Sequence, residues 1–169
     1  MRPHAILSPK RPSRRLFLSA VLPVLAISIL PRAALAAPPI ITAPDAYKAV
    51  QNRSMIMVDI RTPQEWLQTG VARGAVAIDM RADDFIGKLA RIRSQNPDKP
   101  IAMICATGHR STYVTGVLDQ RGFPGLVNVA EGMVGGADGT GWLKRGLPVY
   151  PGQKTEIDAR LNALLNAGQ

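Results

Sequence analysis

The sequence has one cysteine in 169 residues and two histidines, of which His4 lies close to the N-terminus. A single cysteine, Cys105, excludes an internal disulfide and a cysteine-cluster metal site. With His109 as the other histidine, a zinc site would depend on carboxylates, which is not the usual pattern. We therefore expect no metal and no other cofactor, and the lone thiol is the feature that a functional interpretation has to explain.

Aromatic residues are also scarce, and outside the N-terminal segment neither basic nor acidic residues are in large excess. Three Phe, two Trp and three Tyr provide no basic and aromatic platform for nucleic acid. The formal net charge of +9 is concentrated in residues 1–36, which contain six of the 21 cations and no acid. The remaining chain has 15 basic and 12 acidic residues, so we predict no nucleic-acid partner.

Residues 1–36 have the pattern of a cleavable export signal. A basic segment precedes an almost wholly apolar run over 16–30, and a small-residue segment ends at a possible A-x-A cleavage site before Ala37. Residues 13–18, Ser-Arg-Arg-Leu-Phe-Leu, resemble the twin-arginine motif, which predicts a periplasmic protein. An ordinary secretory signal and an uncleaved inner-membrane anchor facing the periplasm are the alternatives, although the apolar run is short for a membrane span.

After a short lead-in over residues 37–41, apolar runs alternate with helix-start signals. The pattern predicts strands over 55–60, 74–78, 101–105 and 126–129, with helices beginning at Thr42, Thr62, Asp83 and Arg110. The sequence Thr62-Pro63-Gln64-Glu65 combines an N-cap, a proline at the first helical position and a capping-box glutamate. This order predicts an α/β fold whose mostly parallel central sheet is flanked by helices on both faces. Residues 151–169 are predicted to form a C-terminal helix packed on the domain.

The stretch over residues 101–111 places Cys105 where a buried strand ends and a helix begins, with Gly108 in the turn between them. Backbone N–H groups, the positive end of the helix dipole and the Arg110 side chain are expected to face an anion above the sulfur. A thiolate rather than a thiol is the nucleophile, so this setting favours a reactive cysteine. Ligands of parallel sheets bind at the carboxyl ends of the strands, which is where Cys105 falls.

Several motifs resemble those of a single-domain rhodanese, a sulfurtransferase family. The matching residues are Val58-Asp59-Ile60-Arg61, Glu65-Trp66, Gly70, Gly74-Ala75, the loop Cys105-Ala106-Thr107-Gly108-His109-Arg110-Ser111, Gly122-Phe123, Trp142 and Gly146-Leu147-Pro148-Val149. They cover residues 42–150, which we take as a rhodanese-like domain with a three-layer fold. The chain departs from the family pattern at Val71 and Arg73 and adds residues within the glycine-rich segment 132–141, where we expect a mobile rim loop.

The resemblance implies that Cys105 carries a sulfane sulfur as a persulfide, taken from a small anionic donor of the thiosulfate or polysulfide class. A thiol or cyanide would then accept it. By the same resemblance, the substrate would be bound by Ala106, Thr107, Gly108, His109 and Arg110, with Asp59, Arg61, Glu65 and Ser111 in support. Of the supporting residues, Arg61 is the one that we most suspect of contacting substrate.

Two other functions stay open. A cysteine phosphatase also has a loop from Cys to Arg, but five residues separate the two there, against four between Cys105 and Arg110. Moreover, Ile104 stands where those phosphatases usually have histidine. The second alternative is a rhodanese-like module that binds sulfur or a protein partner without turnover. The physiological donor and acceptor, and a periplasmic acceptor protein or co-export partner, are left open, and we expect a monomer.

Overall fold

The computed structural model describes residues 37–166, whose central element is a four-stranded parallel sheet. The described residues contain six strands in all, and four of them form this sheet. The six are β1 (Ile56–Asp59), β2 (Val71–Ala72), β3 (Ala75–Ala77), β4 (Ile101–Ile104), β5 (Leu126–Asn128) and β6 (Val149–Tyr150). The order in the sheet is β3-β1-β4-β5, and each of its three strand pairs is parallel. The four strands predicted from the sequence are these four. The predicted export signal over residues 1–36 lies outside the described residues.

Five helices connect or follow the strands. They are α1 (Ala43–Gln51), α2 (Pro63–Thr69), α3 (Phe85–Gln95), α4 (His109–Gln120) and α5 (Lys154–Asn166). Helix α3 begins two residues later than predicted, and α4 begins one residue earlier. None of the helices within residues 37–166 has the length and apolar character needed to cross a bilayer.

Helix α2 is fixed at both ends by its own sequence. The Glu65 N–H donates to Thr62 Oγ1 at 3.2 Å, and the Thr62 N–H donates to Glu65 Oε2 at 3.0 Å, so the predicted capping box is complete. The helix ends at Gly70, whose φ of 73° is in the left-handed region that favours glycine. The box holds the Glu65 side chain at the start of α2, on the side where the chain leaves β1.

Side chains alternate between the two faces of the sheet, and a separate hydrophobic cluster covers each face. On one face, α1, Trp66 and Trp142 pack on the strand residues Met57, Ala75, Ala77, Ala102, Ile104 and Val127. On the other face, α3, α4 and α5 pack on Ile56, Val58, Val76, Ile101, Met103 and Leu126. The predicted three-layer α/β architecture, with helices on both faces, is therefore confirmed.

A second, two-stranded sheet was not predicted. Strands β2 and β6 pair antiparallel, with Val71 opposite Tyr150. The Tyr150 hydroxyl donates to the Ala75 carbonyl at 2.9 Å, and the Arg160 guanidinium of α5 lies 4.1 Å from the centre of the Tyr150 ring. This small sheet therefore joins the end of the domain to the edge of the main sheet and to α5.

Candidate active site

Cys105 follows the last residue of β4, and the chain turns at Gly108 into α4. The Cys105 Sγ accepts hydrogen bonds from the Gly108 N–H at 3.2 Å and from the Ser111 N–H at 3.4 Å. The Ser111 hydroxyl lies 3.6 Å from the sulfur and donates to the Gly108 carbonyl at 2.9 Å. Donors directed at the sulfur, at the positive end of a helix, stabilise negative charge on it.

Four more N–H groups of the loop face no acceptor within residues 37–166. They belong to Ala106, Thr107, His109 and Arg110. The nearby carbonyls are already engaged, because Cys105 O accepts from Met133 N–H at 2.8 Å and Ala106 O accepts from Val134 N–H at 2.9 Å. Successive unpaired N–H groups at the start of a helix form a binding site for an anion. The loop therefore offers several backbone donors without a partner in the described residues, and anion binding there stays a prediction.

The glycine-rich segment lies directly against this loop, a contact that the sequence did not predict, while its expected mobility stays a prediction. A Cβ on Gly132 would lie 2.4 Å from the Ala106 carbonyl oxygen, and one on Gly136 would lie 2.8 Å from the Thr107 oxygen. The Trp142 N–H also donates to the Gly132 carbonyl at 2.9 Å. Glycine permits this approach because it has no Cβ, and the segment lies against the nucleophile loop.

Glu131 anchors the glycine-rich segment, and the sequence interpretation missed it. Its buried carboxylate accepts from the Ala43 N–H at 3.1 Å, the Gly141 N–H at 3.0 Å and Arg145 Nε at 2.7 Å. Burial opposes ionisation, but these hydrogen bonds prevail and hold the pKa of Glu131 below its ordinary value. The only sequence signal was an acid three residues after the end of β5 and directly before a glycine.

Arg110 is paired with Glu65 rather than left open to solvent. The guanidinium donates through Nη1 to Glu65 Oε2 at 2.9 Å and through Nη2 to Oε1 at 2.5 Å, a two-point contact between α4 and α2. The hydrogen bond to Glu65, together with the charges of Cys105 and Asp59, raises the pKa of Arg110 although burial opposes this. Arg110 directly precedes Ser111, whose N–H contacts the sulfur, and Glu65 is the residue that orients its guanidinium.

Arg61, the supporting residue most suspected of contacting substrate, has a buried side chain, and its contact with substrate stays a prediction. Its side chain is 1% exposed and forms an ion pair with the fully buried Asp59, with Nη2 to Oδ2 at 2.7 Å. The remaining donors reach the Thr69 hydroxyl and the Gly70 carbonyl, each at 2.7 Å. With its hydrogen-bonding capacity used in this way, Arg61 ties the end of β1 to the end of α2.

The open side of the loop carries Thr107 and His109. The Thr107 hydroxyl lies 3.2 Å from His109 Nδ1, and His109 is exposed. The sulfur of Cys105 is buried, so the residues around the loop limit which molecules can contact it. Within the described part of the chain, no three His, Cys, Asp or Glu side chains are close enough to hold a metal ion.

Replacing Gly108 by alanine should disrupt the loop. The φ of Gly108 is 92°, and a Cβ would lie 1.9 Å from the Ala130 carbonyl oxygen, which is backbone and cannot turn aside. We expect Gly108→Ala to lower the free energy of unfolding by about 3 kcal/mol. Gly116→Ala, inside α4 with open space around its Cβ, is the matched control and should raise it by about 0.5–1 kcal/mol. Equal effects in urea unfolding would contradict the packing described.

The Glu65–Arg110 pair predicts a pH-dependent contribution to stability. The hydrogen bond from Arg110 lowers the pKa of Glu65 from 4.5 to about 2. The unfolded chain therefore binds this proton at a higher pH than the folded chain, and the stabilisation present above about pH 5 is lost as pH falls towards 2. The difference in unfolding free energy between the unmodified protein and Glu65→Gln should shrink over that range. Arg110→Met should lack the same pH-dependent contribution to the unfolding free energy. A difference between the unmodified protein and Glu65→Gln that stays constant from pH 5 to pH 2 would contradict the role given to this ion pair.

Comparison with known proteins identifies the family. An uncharacterised protein of Rickettsia prowazekii is 24% identical over 105 residues, which are 59% of this chain and 85% of that protein. The crystal structure of Rv0390 from M. tuberculosis matches with a TM-score of 0.52 at 26% identity, over 68% of this chain and 98% of that one. A thiosulfate sulfurtransferase from Pseudomonas aeruginosa matches in fold, with a TM-score of 0.53 at 18% identity, over 75% of this chain and 24% of that one. The family described as Rhodanese-like domain matches residues 42–138, more than half of the sequence, and the chain belongs to that family.

Proposed function

We propose that the protein is a sulfurtransferase that moves a sulfane sulfur from a small anionic donor to a thiol or cyanide acceptor through a persulfide on Cys105. One observation carries the proposal: the Cys105 sulfur accepts two N–H hydrogen bonds, while four neighbouring N–H groups have no acceptor among the described residues. The first set favours the thiolate nucleophile. The second set suits the negative charge of a donor or of a bound sulfur.

The cycle has two displacement steps. The Cys105 thiolate attacks the outer sulfur of thiosulfate, a sulfur–sulfur bond forms, and the bond within thiosulfate breaks so that sulfite leaves with its electron pair. Cyanide or a thiolate then attacks the outer sulfur of the persulfide. Thiocyanate or a new persulfide leaves, and the Cys105 thiolate is restored without any external oxidant or reductant.

The residues of the loop have three roles in this cycle. Gly108 and Ser111 hold the thiolate, and the N–H groups of Ala106, Thr107, His109 and Arg110 face the incoming anion. The Arg110 guanidinium attracts the anion from its pair with Glu65, since an ion pair at 34% and 28% exposure still presents a positive edge to solvent. The role that the resemblance gave to Arg110 is therefore shared with the backbone.

A sulfur-transfer assay tests the proposal. The purified protein should convert thiosulfate and cyanide into thiocyanate, and Cys105 should gain about 32 Da after incubation with thiosulfate alone. Cys105→Ser should abolish both results, because a hydroxyl is a far weaker nucleophile at neutral pH.

The two alternatives give other outcomes in the same assay. Protein that stays unmodified after incubation with donor would indicate a binding module without turnover. Hydrolysis of p-nitrophenyl phosphate without thiocyanate formation would indicate a phosphatase.

We also propose that the protein acts in the periplasm after export through the twin-arginine route, on the strength of residues 13–18 and the apolar run that follows. Lysine keeps the charge but not the planar guanidinium of arginine. Arg14→Lys combined with Arg15→Lys should therefore leave the full-length precursor in the cytoplasmic fraction. Unchanged export of this double variant would indicate the ordinary secretory route, and full-length protein in the membrane fraction would indicate an uncleaved anchor.

A further inference from the structure

An apolar groove runs between α3 and α4. Its first part, of about 200 Å³, includes Ile86 and Tyr113 in its lining, and its second part, of about 470 Å³, includes Phe123. The two parts are continuous because both are lined by Ile86, Leu118 and Arg121. The lining residues on and just after α4 run from Tyr113 to Arg121, so the groove follows the helix for about 12 Å.

The groove opens next to the candidate active site. Tyr113 and Val114 lie three and four residues after Arg110 on α4, so they share its side of the helix. Val114 belongs to the same buried cluster as Cys105. A molecule in the groove would therefore have one end beside the nucleophile loop.

The surface of the groove is unusual for a solvated helix pair. Ile86 is 52% exposed and Tyr113 is 67% exposed, although burial of such side chains is favourable by about 25 cal/mol per Å². Its charged lining residues within the described part of the chain are Arg93 and Arg121, with no acid. Arg93 is occupied by backbone carbonyls, among them Lys99 O at 2.8 Å. Arg121 forms no ion pair with any residue of 37–166 and is the open cation of the groove.

We propose that this groove binds a polypeptide that carries the acceptor thiol, with apolar side chains against Ile86 and Tyr113 and an acidic side chain facing Arg121. The proposal rests on the sulfur transfer proposed above and names the class of acceptor. Cyanide or a small thiol would occupy only the loop and leave the groove empty. A polypeptide segment matches both its length and its apolar lining.

The positive charge of the groove favours a separate partner protein rather than a second copy of this chain. In a two-fold pairing of this groove with itself, each copy would bring Arg121 and apolar side chains to the same surface, with no acid to meet the cation. An acceptor with an acid among apolar residues complements the groove in both respects.

The experiment uses protein already loaded with sulfur from thiosulfate. Four acceptors are compared: cyanide, 2-mercaptoethanol, a short synthetic peptide whose cysteine precedes two leucines and a glutamate, and the same peptide with glutamine for glutamate. The measured quantity is the second-order rate at which Cys105 loses the added mass. The test variants are Ile86→Ser and Arg121→Glu, and the matched controls outside the groove are Ile40→Ser, 68% exposed in the unmodified chain, and Arg53→Glu.

We expect the glutamate peptide to react about tenfold faster than 2-mercaptoethanol. Ile86→Ser should lower the peptide rate by about fivefold because apolar contact is lost. Arg121→Glu should lower it similarly and reverse the preference for glutamate over glutamine. The cyanide rate should not change in either variant, and the control variants should behave as the unmodified protein does.

Three results would overturn the proposal. A peptide rate that is the same in all variants, or no greater than that of 2-mercaptoethanol, would show that the groove does not bind the acceptor. A dimer in sedimentation that Ile86→Ser dissociates would assign the groove to a second copy. The third result is failure of the unmodified protein to gain sulfur from thiosulfate, which would overturn sulfur transfer and this proposal together. It is seen before any acceptor is added, so it can be distinguished from failure of the groove to bind the acceptor.

Discussion

The candidate site depends on the close approach of two backbones, at Gly108 and at the Ala130 carbonyl. Gly108 adopts a φ of 92°, and the carbonyl oxygen stands where any other residue would have its Cβ. This conformation turns the Gly108 N–H towards the sulfur and starts α4 at His109, so that the Ser111 N–H reaches the sulfur as well. The N–H groups of Met133 and Val134, beyond β5, donate to the carbonyls of Cys105 and Ala106, and the other loop N–H groups have no acceptor within residues 37–166. The steric fit at Gly108 therefore accounts for the donors at the sulfur, and the chain beyond β5 supports the rest of the loop.

Glu65 and Arg110 add a second constraint, from the opposite side of the loop. The capping box that begins α2 also holds the carboxylate of Glu65, and that carboxylate holds the Arg110 guanidinium by two hydrogen bonds. Since the two charges largely cancel, the pair contributes less long-range attraction than a free arginine would. The proposed affinity of the loop for an anion would then come mainly from short-range N–H donors, which favours small anions that fit against the loop.

The parts that were predictable are those whose signal is local. The Thr62-Pro63-Gln64-Glu65 sequence predicts the start of α2 because capping chemistry lies within one turn, and the apolar runs predict the four parallel strands for the same reason. The pairing of β2 with β6 joins two strands of two residues each, too short to show a periodic pattern. Glu131 was missed because its partners Ala43, Gly141 and Arg145 come from other parts of the chain. The partners of Arg61 are local, but the burial of its ion pair with Asp59 is visible only once the fold is in place.

The arrangement of donors also bears on the two states of the proposed cycle. When Cys105 accepts a sulfur, the negative charge moves outward by about 2 Å, the length of a sulfur–sulfur bond. The donors from Gly108 and Ser111 lie at the inner sulfur, and the N–H groups free in the described structure lie in the loop around it. In the proposed cycle the first donors would stabilise the thiolate, and the remaining N–H groups of the loop would be available to the charge on the outer sulfur of the persulfide. Each of the two displacement steps would then leave the negative charge with backbone donors nearby.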